Sequence, residues 1–396
     1  MLSAEHALAE ADAMLALGRL EGGLSMASPA TLRLFALRLL RDMLISALRQ
    51  EGHGFTDQRF HAWFAGVATL SDEPARTARP PRALCEAILT ELTHSSWNAL
   101  AQAATRFQAA LLAPSDGTGN RLAAETAYQD AGAVIAAAHD LLSRLAPSSH
   151  PLAALAQLHA AAGDHVLFAP SERAVEPMAM RPDAVGGKRL TVERLALPCP
   201  RWALELLWGA QWRKSGLLSH ALPFPGLIRL DVLRANTATD FAMLEESPAI
   251  LATTLRDAAQ TLSASLSEAD RLAHRLADSQ IGQRRSSRAP ALLELLAGFG
   301  PLRSGQLEGL LDVSRLGLRS MLGTLDTAGL LARTTLSGVH LYATDLSSRG
   351  AYEVQDDLAS STFSASALGE YDAAMAEIDA LLTKSGVIAD DSDREA

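Results

Sequence analysis

Between residues 284 and 343, seven arginines (Arg284, Arg285, Arg288, Arg303, Arg315, Arg319, Arg333) face four acids (Glu294, Glu308, Asp312, Asp326). That is a local surplus of about three positive charges inside a chain whose formal net charge is −10. A guanidinium stays charged at any ordinary pH and presents a planar fork of donors matched to phosphate oxygens and to guanine O6/N7. Arg315 and Arg319 are four residues apart, with Ser314 and Ser320 beside them. On a helix this spacing sets both guanidiniums on one side, away from a stripe of Leu318, Met321, Leu322 and Leu325. The chemistry predicted is recognition of a polyanion. Arg315, Arg319, Ser314 and Ser320 would face its informative edge, while Arg333, Arg284, Arg285 and Arg303 would hold its backbone. The competing explanation is an arginine-rich surface in a chain with only three lysines.

The elements that must position these groups are legible in order. Pro290 opens a helix with Leu292, Leu293, Leu295 and Leu296, closed by Gly298 and Gly300. Pro301-Leu302-Arg303 leads to a second helix from Ser304 to Leu311, and Asp312-Val313 turns the chain. Ser314 caps a third helix, which Gly329 ends. A strand from Leu330 to Arg333, a polar loop at Thr334–Gly338 and a strand from Val339 to Ala343 complete the segment.

The stretch "LLELLAGFGPLRSGQLEGLLDVSRLGLRSMLGTLDTAGLLARTTLSGVHLYA" resembles the winged helix-turn-helix domains of bacterial transcriptional regulators. Within it, "LDVSRLGLRSMLGTLDTAGLL" matches the turn, the recognition helix and the entry to the wing. The resemblance covers about 15% of the chain and implies duplex DNA as partner. Winged helices also serve as protein-interaction modules, as in the kleisin-associated subunits of condensation complexes, so an interaction scaffold stays open. Near the other end, "LGRLEGGLSMASPATLRLFALRLLRDMLISALRQEG" is similar to the helical flank of Fic-type proteins, which often carry a C-terminal winged helix. Their catalytic His-Pro-Phe and Gly-Asn-Gly loop is not matched; Asp116-Gly117-Thr118-Gly119-Asn120-Arg121 lacks the histidine and the second glycine. The chain also resembles a group of helical, often plasmid-borne bacterial proteins ending in a helix-turn-helix.

Composition sets the frame: 396 residues, 48% hydrophobic and only 5% aromatic, predict a mainly α chain with a substantial core. Residues 1–168 read as an all-helical bundle. Its first helix runs from Ser3 to about Leu20 and stops at Gly22-Gly23; its second opens at Ser28-Pro29 with a stripe of Leu32, Phe35, Leu39, Met43 and Ala47. Arg33, Arg38, Arg41 and Arg49 form a cationic flank on that helix, read as a solvated face. Further helices are expected at 57–67, 82–112, 123–145 and 151–162. Residues 169–200 form a Pro/Gly-rich connection, and 201–283 a helical region with Trp202, Trp208 and Trp212. A long helix over 248–280 carries a heptad-like seam of Leu251, Leu255, Ala258, Leu262, Leu266, Ala269, Leu272 and Leu276, for internal packing or a homodimer. The winged helix-turn-helix spans 284–345. In 346–396, with Asp345 just before, twelve acids outnumber Arg349, Lys384 and Arg394; an acidic amphipathic helix over 366–385 would dock on the bundle, pair with a second copy or compete with DNA.

Other chemistry is not indicated. His-Glu-x-x-His, Gly-x-Ser-x-Gly and phosphate-loop patterns are absent from the sequence. Cys85 and Cys199 make neither a disulfide framework nor a zinc pair, and His159, Asp164 and His165 are poorly spaced for a metal. The expectation is a non-enzymatic cytoplasmic protein without cofactor, metal, secretory leader or membrane span. A pocket near Trp202–Trp212, bounded by Glu205, or one around Gly117–Arg121, remains open as a small-molecule sensor.

Overall fold

Ser28 starts the central helix of the molecule. Its backbone is extended and its hydroxyl accepts the Thr31 amide at 3.1 Å, with Pro29 filling the first helical position. The computed structural model describes residues 4–71, 79–114, 121–170, 175–177, 191–193, 198–230, 232–233, 241–278 and 288–345. Among them are helices α1 (Ala4–Met26), α2 (Pro29–Gln50), α3 (Asp57–Phe64), α4 (Pro81–Thr93), α5 (Asn98–Ala110), α6 (Arg121–Arg144) and α7 (Pro151–Asp164). A two-stranded ladder of β1 (Val175–Pro177) and β2 (Thr191–Glu193) lies within the Pro/Gly-rich connection. Helices α8 (Trp202–Lys214), α9 (Phe241–Asp278) and α10 (Ala289–Gly298) follow. Then come β3 (Leu302–Arg303), α11 (Ser304–Leu311), α12 (Arg315–Thr327), β4 (Leu331–Leu336) and β5 (Val339–Thr344). The chain is mainly helical, with a small three-stranded sheet in the order β3-β5-β4 towards its C-terminal part. No helix among the described residues is long and apolar enough to cross a membrane.

α2 is buried on most of its circumference and packs on α4, α5, α8, α9 and α10. Its arginines are not simply solvated. Arg33 makes a two-pronged contact with Glu294 of α10 at 2.7 and 3.1 Å, and Arg38 reaches Ser265 of α9 at 3.4 Å. Arg41 pairs with Asp42 and Arg49 with Asp57. One core runs from α1 through α12, so α7 and α8, separated in sequence by the connection, share it.

Several boundaries differ from the expectation. α1 does not stop at Gly22-Gly23 but continues to Met26. There it packs on α9, and a Cβ at Gly23 would lie 3.0 Å from Leu266 Cδ2, so this glycine serves close helix approach. The single helix expected at 82–112 is two: the Ser95 amide folds back to the Leu92 carbonyl, and Ser95 Oγ accepts the Trp97 amide at 3.2 Å. Trp97 is thereby turned inward, 5.9 Å from the Phe35 ring. α9 begins at Phe241, ahead of Ser247-Pro248, and so tolerates a proline that cannot donate to the helix ladder. Its seam from Leu251 to Leu272 is buried, and the helix packs on α1 and α2. Of the two alternatives for that seam, packing within one chain is the one the fold realises. The helix expected at 366–385 lies outside the described residues.

α10, β3 and α11 are fused to the bundle. Phe299, fully buried, stacks on Phe107 at 4.0 Å and lies 5.0 Å from Phe64, with Phe60 and His61 around it. Gln306, buried at the start of α11, donates to the carbonyls of Phe64 (3.2 Å) and Ala110 (2.7 Å) and accepts the Arg303 amide at 3.0 Å. The Phe64 carbonyl also accepts the Leu112 amide at 3.2 Å. α3, α11 and the segment just after α5 are thus tied together at one carbonyl.

Candidate nucleic-acid interface

α12 owes its position to the turn before it and to its buried stripe. Asp312 closes α11 in the left-handed region, φ 49°, and Arg288 Nη1 donates to the Asp312 carbonyl at 2.9 Å and to that of Leu311. Ser314 is extended and accepts the Gly317 amide at 3.2 Å, satisfying one otherwise orphaned donor of the first turn. Leu318, Leu322 and Leu325 are buried, and Met321 packs beside them. These side chains hold α12 mainly on α10, α11 and β4, leaving its opposite side exposed.

Ser314, Arg315, Arg319 and Ser320 are all exposed, the two arginines on one flank of the helix and Ser320 near its outer pole. At about 100° per residue, Arg315 and Arg319 are separated by roughly 40° around the helix. Arg333 is exposed on β4, directly across from Tyr342 of β5. Among the described residues none of the ion pairs or hydrogen bonds involves the guanidiniums of Arg315, Arg319 or Arg333. The hairpin carrying Arg333 is tighter than expected. β4 extends to Leu336, and only Ser337 (φ 48°) and Gly338 (φ 77°) turn the chain, both left-handed as a two-residue turn of the twist-matching kind requires.

Arg303 is a correction. Its guanidinium turns inward and donates through Nη1 to the Ala65 carbonyl at 3.0 Å, so it anchors the segment to the bundle instead of standing beside α12. Arg284 and Arg285 lie outside the described residues. Over 288–345, five arginines are matched by Glu294, Glu308, Asp312, Asp326 and Asp345, and the positive character is local to Arg315, Arg319 and Arg333. Sequence reasoning missed Leu316, which is 77% exposed between the two arginines of α12. Its signal was phase: it falls outside the Leu318/Leu322/Leu325 stripe.

Two buried carboxylates elsewhere are tied up structurally, while the indole N–H groups of Trp63, Trp208 and Trp212 are buried with no hydrogen-bond partner among the described residues. Glu51, fully buried, accepts Trp202 Nε1 at 2.7 Å and pairs with Arg79 at 2.8 Å. Glu205 accepts Gln50 Nε2 at 2.7 Å and the Ile228 amide at 3.0 Å; burial pushes its carboxyl pKa up, against those hydrogen bonds. Burial likewise raises the Cys199 thiol to about 11, far from a reactive thiolate at neutral pH. Among the described residues no group of three or more His, Cys, Asp or Glu is placed to hold a metal ion. Leu142, Leu145, Ala154, Trp208 and Trp212 line a cavity of about 260 Å³ between α6, α7 and α8; Glu205 is not on its wall. The second sensor site considered, around Gly117–Arg121, falls almost wholly outside the described residues. No protein-family model and no curated protein matches the chain.

Proposed function

We propose that the chain binds duplex DNA through a winged helix-turn-helix within residues 284–345, as a transcriptional regulator or a plasmid-maintenance factor. α10, α11 and α12 would be its three helices, α12 the recognition helix and the β4–β5 hairpin its wing. The observation that carries the reading is the division of α12: leucines anchor one side while Arg315 and Arg319 stand exposed together along the flank of the helix. Arginines near the start of a helix lying in the major groove reach guanine edges and phosphates, and Arg333 on the wing adds a phosphate contact. The rigid seating of α10 and α11 on the bundle supports the same reading, because a fixed scaffold limits the ordering cost of binding.

The test is selection of bound sequences from random duplex DNA by the full chain at two salt concentrations. An enriched motif is expected for the wild type, and its loss for the Arg315→Ala/Arg319→Ala variant. No enrichment, or the same motif from the variant, refutes the reading. The cavity beside Trp208 and Trp212, whose wall also carries Ser148, Gln211 and Lys214, favours a second, compatible role as the seat of a small-molecule effector. A thermal-shift screen against metabolites tests it, and a uniformly unshifted midpoint counts against it.

A further inference from the structure

Leu316 is 77% exposed, yet it stands at the outermost point of α12. Leu316 and Leu325 are nine residues apart, which at about 100° per residue sets them roughly 180° apart. Leu325 is fully buried, so Leu316 points directly away from the body of the protein. One turn on, Arg319 and Ser320 share its side, and after two turns comes Gly323. A Cβ at Gly323 would meet nothing within 4 Å. Packing therefore does not require this glycine, although glycine inside a helix costs about 1 kcal/mol relative to alanine. An outward strip of leucine, arginine, serine and glycine, flanked by Arg315, is low enough for close approach and apolar at one point only.

Resting on the DNA-binding reading above, we infer that Leu316 packs on the 5-methyl group of a thymine in the major groove and so sets sequence preference there. In that groove the thymine methyl is the apolar feature of a base-pair edge otherwise made of donors and acceptors. The guanidiniums of Arg315 and Arg319, which pair with no group among the described residues and lie together on one flank of Leu316, select a polyanion over an apolar partner. A lone exposed leucine is ordinary on a protein surface; here it occupies the pole of the helix whose two neighbouring cations need phosphate or guanine.

The experiment starts from the duplex that the full chain selects from random sequence. Each thymine is replaced singly by uracil, which keeps the pairing edge and lacks the methyl. Affinity is expected to fall about fourfold at one or two positions, the value of burying one methyl-sized group. Leu316→Ala should bind the thymine and uracil duplexes equally while still preferring the selected site. The inference is overturned if every thymine tolerates uracil, if the selected site has no thymine, or if the alanine variant keeps the preference. Those outcomes leave DNA binding intact; a chain that selects no duplex, including one that retains a protein partner instead, overturns both.

Discussion

His61 makes the join between bundle and C-terminal helices sensitive to acid. It is buried on α3, edge-on to Phe60 and Phe299, and a Cβ at Gly300 would lie 2.7 Å from its ring. Its ring is hydrogen-bonded to the Pro301 backbone, and Nδ1 is buried with no hydrogen-bond partner among the described residues. Burial above all, with Arg41 adding to it and Asp57 and Pro301 opposing, lowers the imidazole pKa from 6.5 to about 4. Protonation would set a new N–H and a charge in an apolar pocket. Because the folded pKa lies below the unfolded one, the unfolded chain binds the proton first as pH falls. Stability is therefore complete above about pH 6.5 and is lost progressively down to about pH 4, by roughly 3 kcal/mol in all. Urea unfolding, followed by the fluorescence of the buried Trp63 and its fellow tryptophans, measures this from pH 7.5 to pH 4. His61→Leu removes the titration, so the wild-type curve should fall away from the variant's by that amount over the same window. Two profiles that run parallel would refute the reasoning.

The same urea assay checks three further expectations. Phe299→Ala empties the aromatic contact between α10 and α3/α5 and should cost about 3–5 kcal/mol; a loss under 1 kcal/mol would mean the join is not held there. Gly209→Ala and Gly323→Ala should act in opposite directions. A Cβ at Gly209 would sit 1.9 Å from the Leu222 carbonyl oxygen, so that variant should lose on the order of 3 kcal/mol or more, whereas Gly323→Ala should gain about 1 kcal/mol. Gln306→Ala removes the donor to the Ala110 carbonyl and should cost about 1–3 kcal/mol; an unchanged midpoint would place water or another donor at that carbonyl.

What could be read from the sequence was local. Ser28-Pro29 and Ser314 announce helix starts because capping needs only the next three residues, and the leucine stripe of α12 follows from helical period alone. Chain-distant partners decided the rest. Arg303 and Arg315 look alike in sequence, yet one finds the Ala65 carbonyl and the other stands exposed. Gly23 looked like a stop because nothing local announces Leu266 of α9 across from it. The seam of α9 had the spacing of a dimer contact, and only the fold reveals that α1 and α2 of the same chain fill it. The break between α4 and α5 turns on the Ser95 side chain and on the burial of Trp97, neither of which periodicity reports.

In the proposed function the exposed surface of α12 grips duplex DNA. Fluorescence anisotropy of a labelled, selected duplex titrated with the full chain over a range of salt tests it most directly. The logarithm of affinity should fall with the logarithm of salt concentration, by about 0.9 for each phosphate neutralised. Arg333→Ala should shallow that slope by about one such increment. Flat salt dependence, or Arg315→Ala/Arg319→Ala protein that binds as tightly and as selectively as wild type, would contradict it.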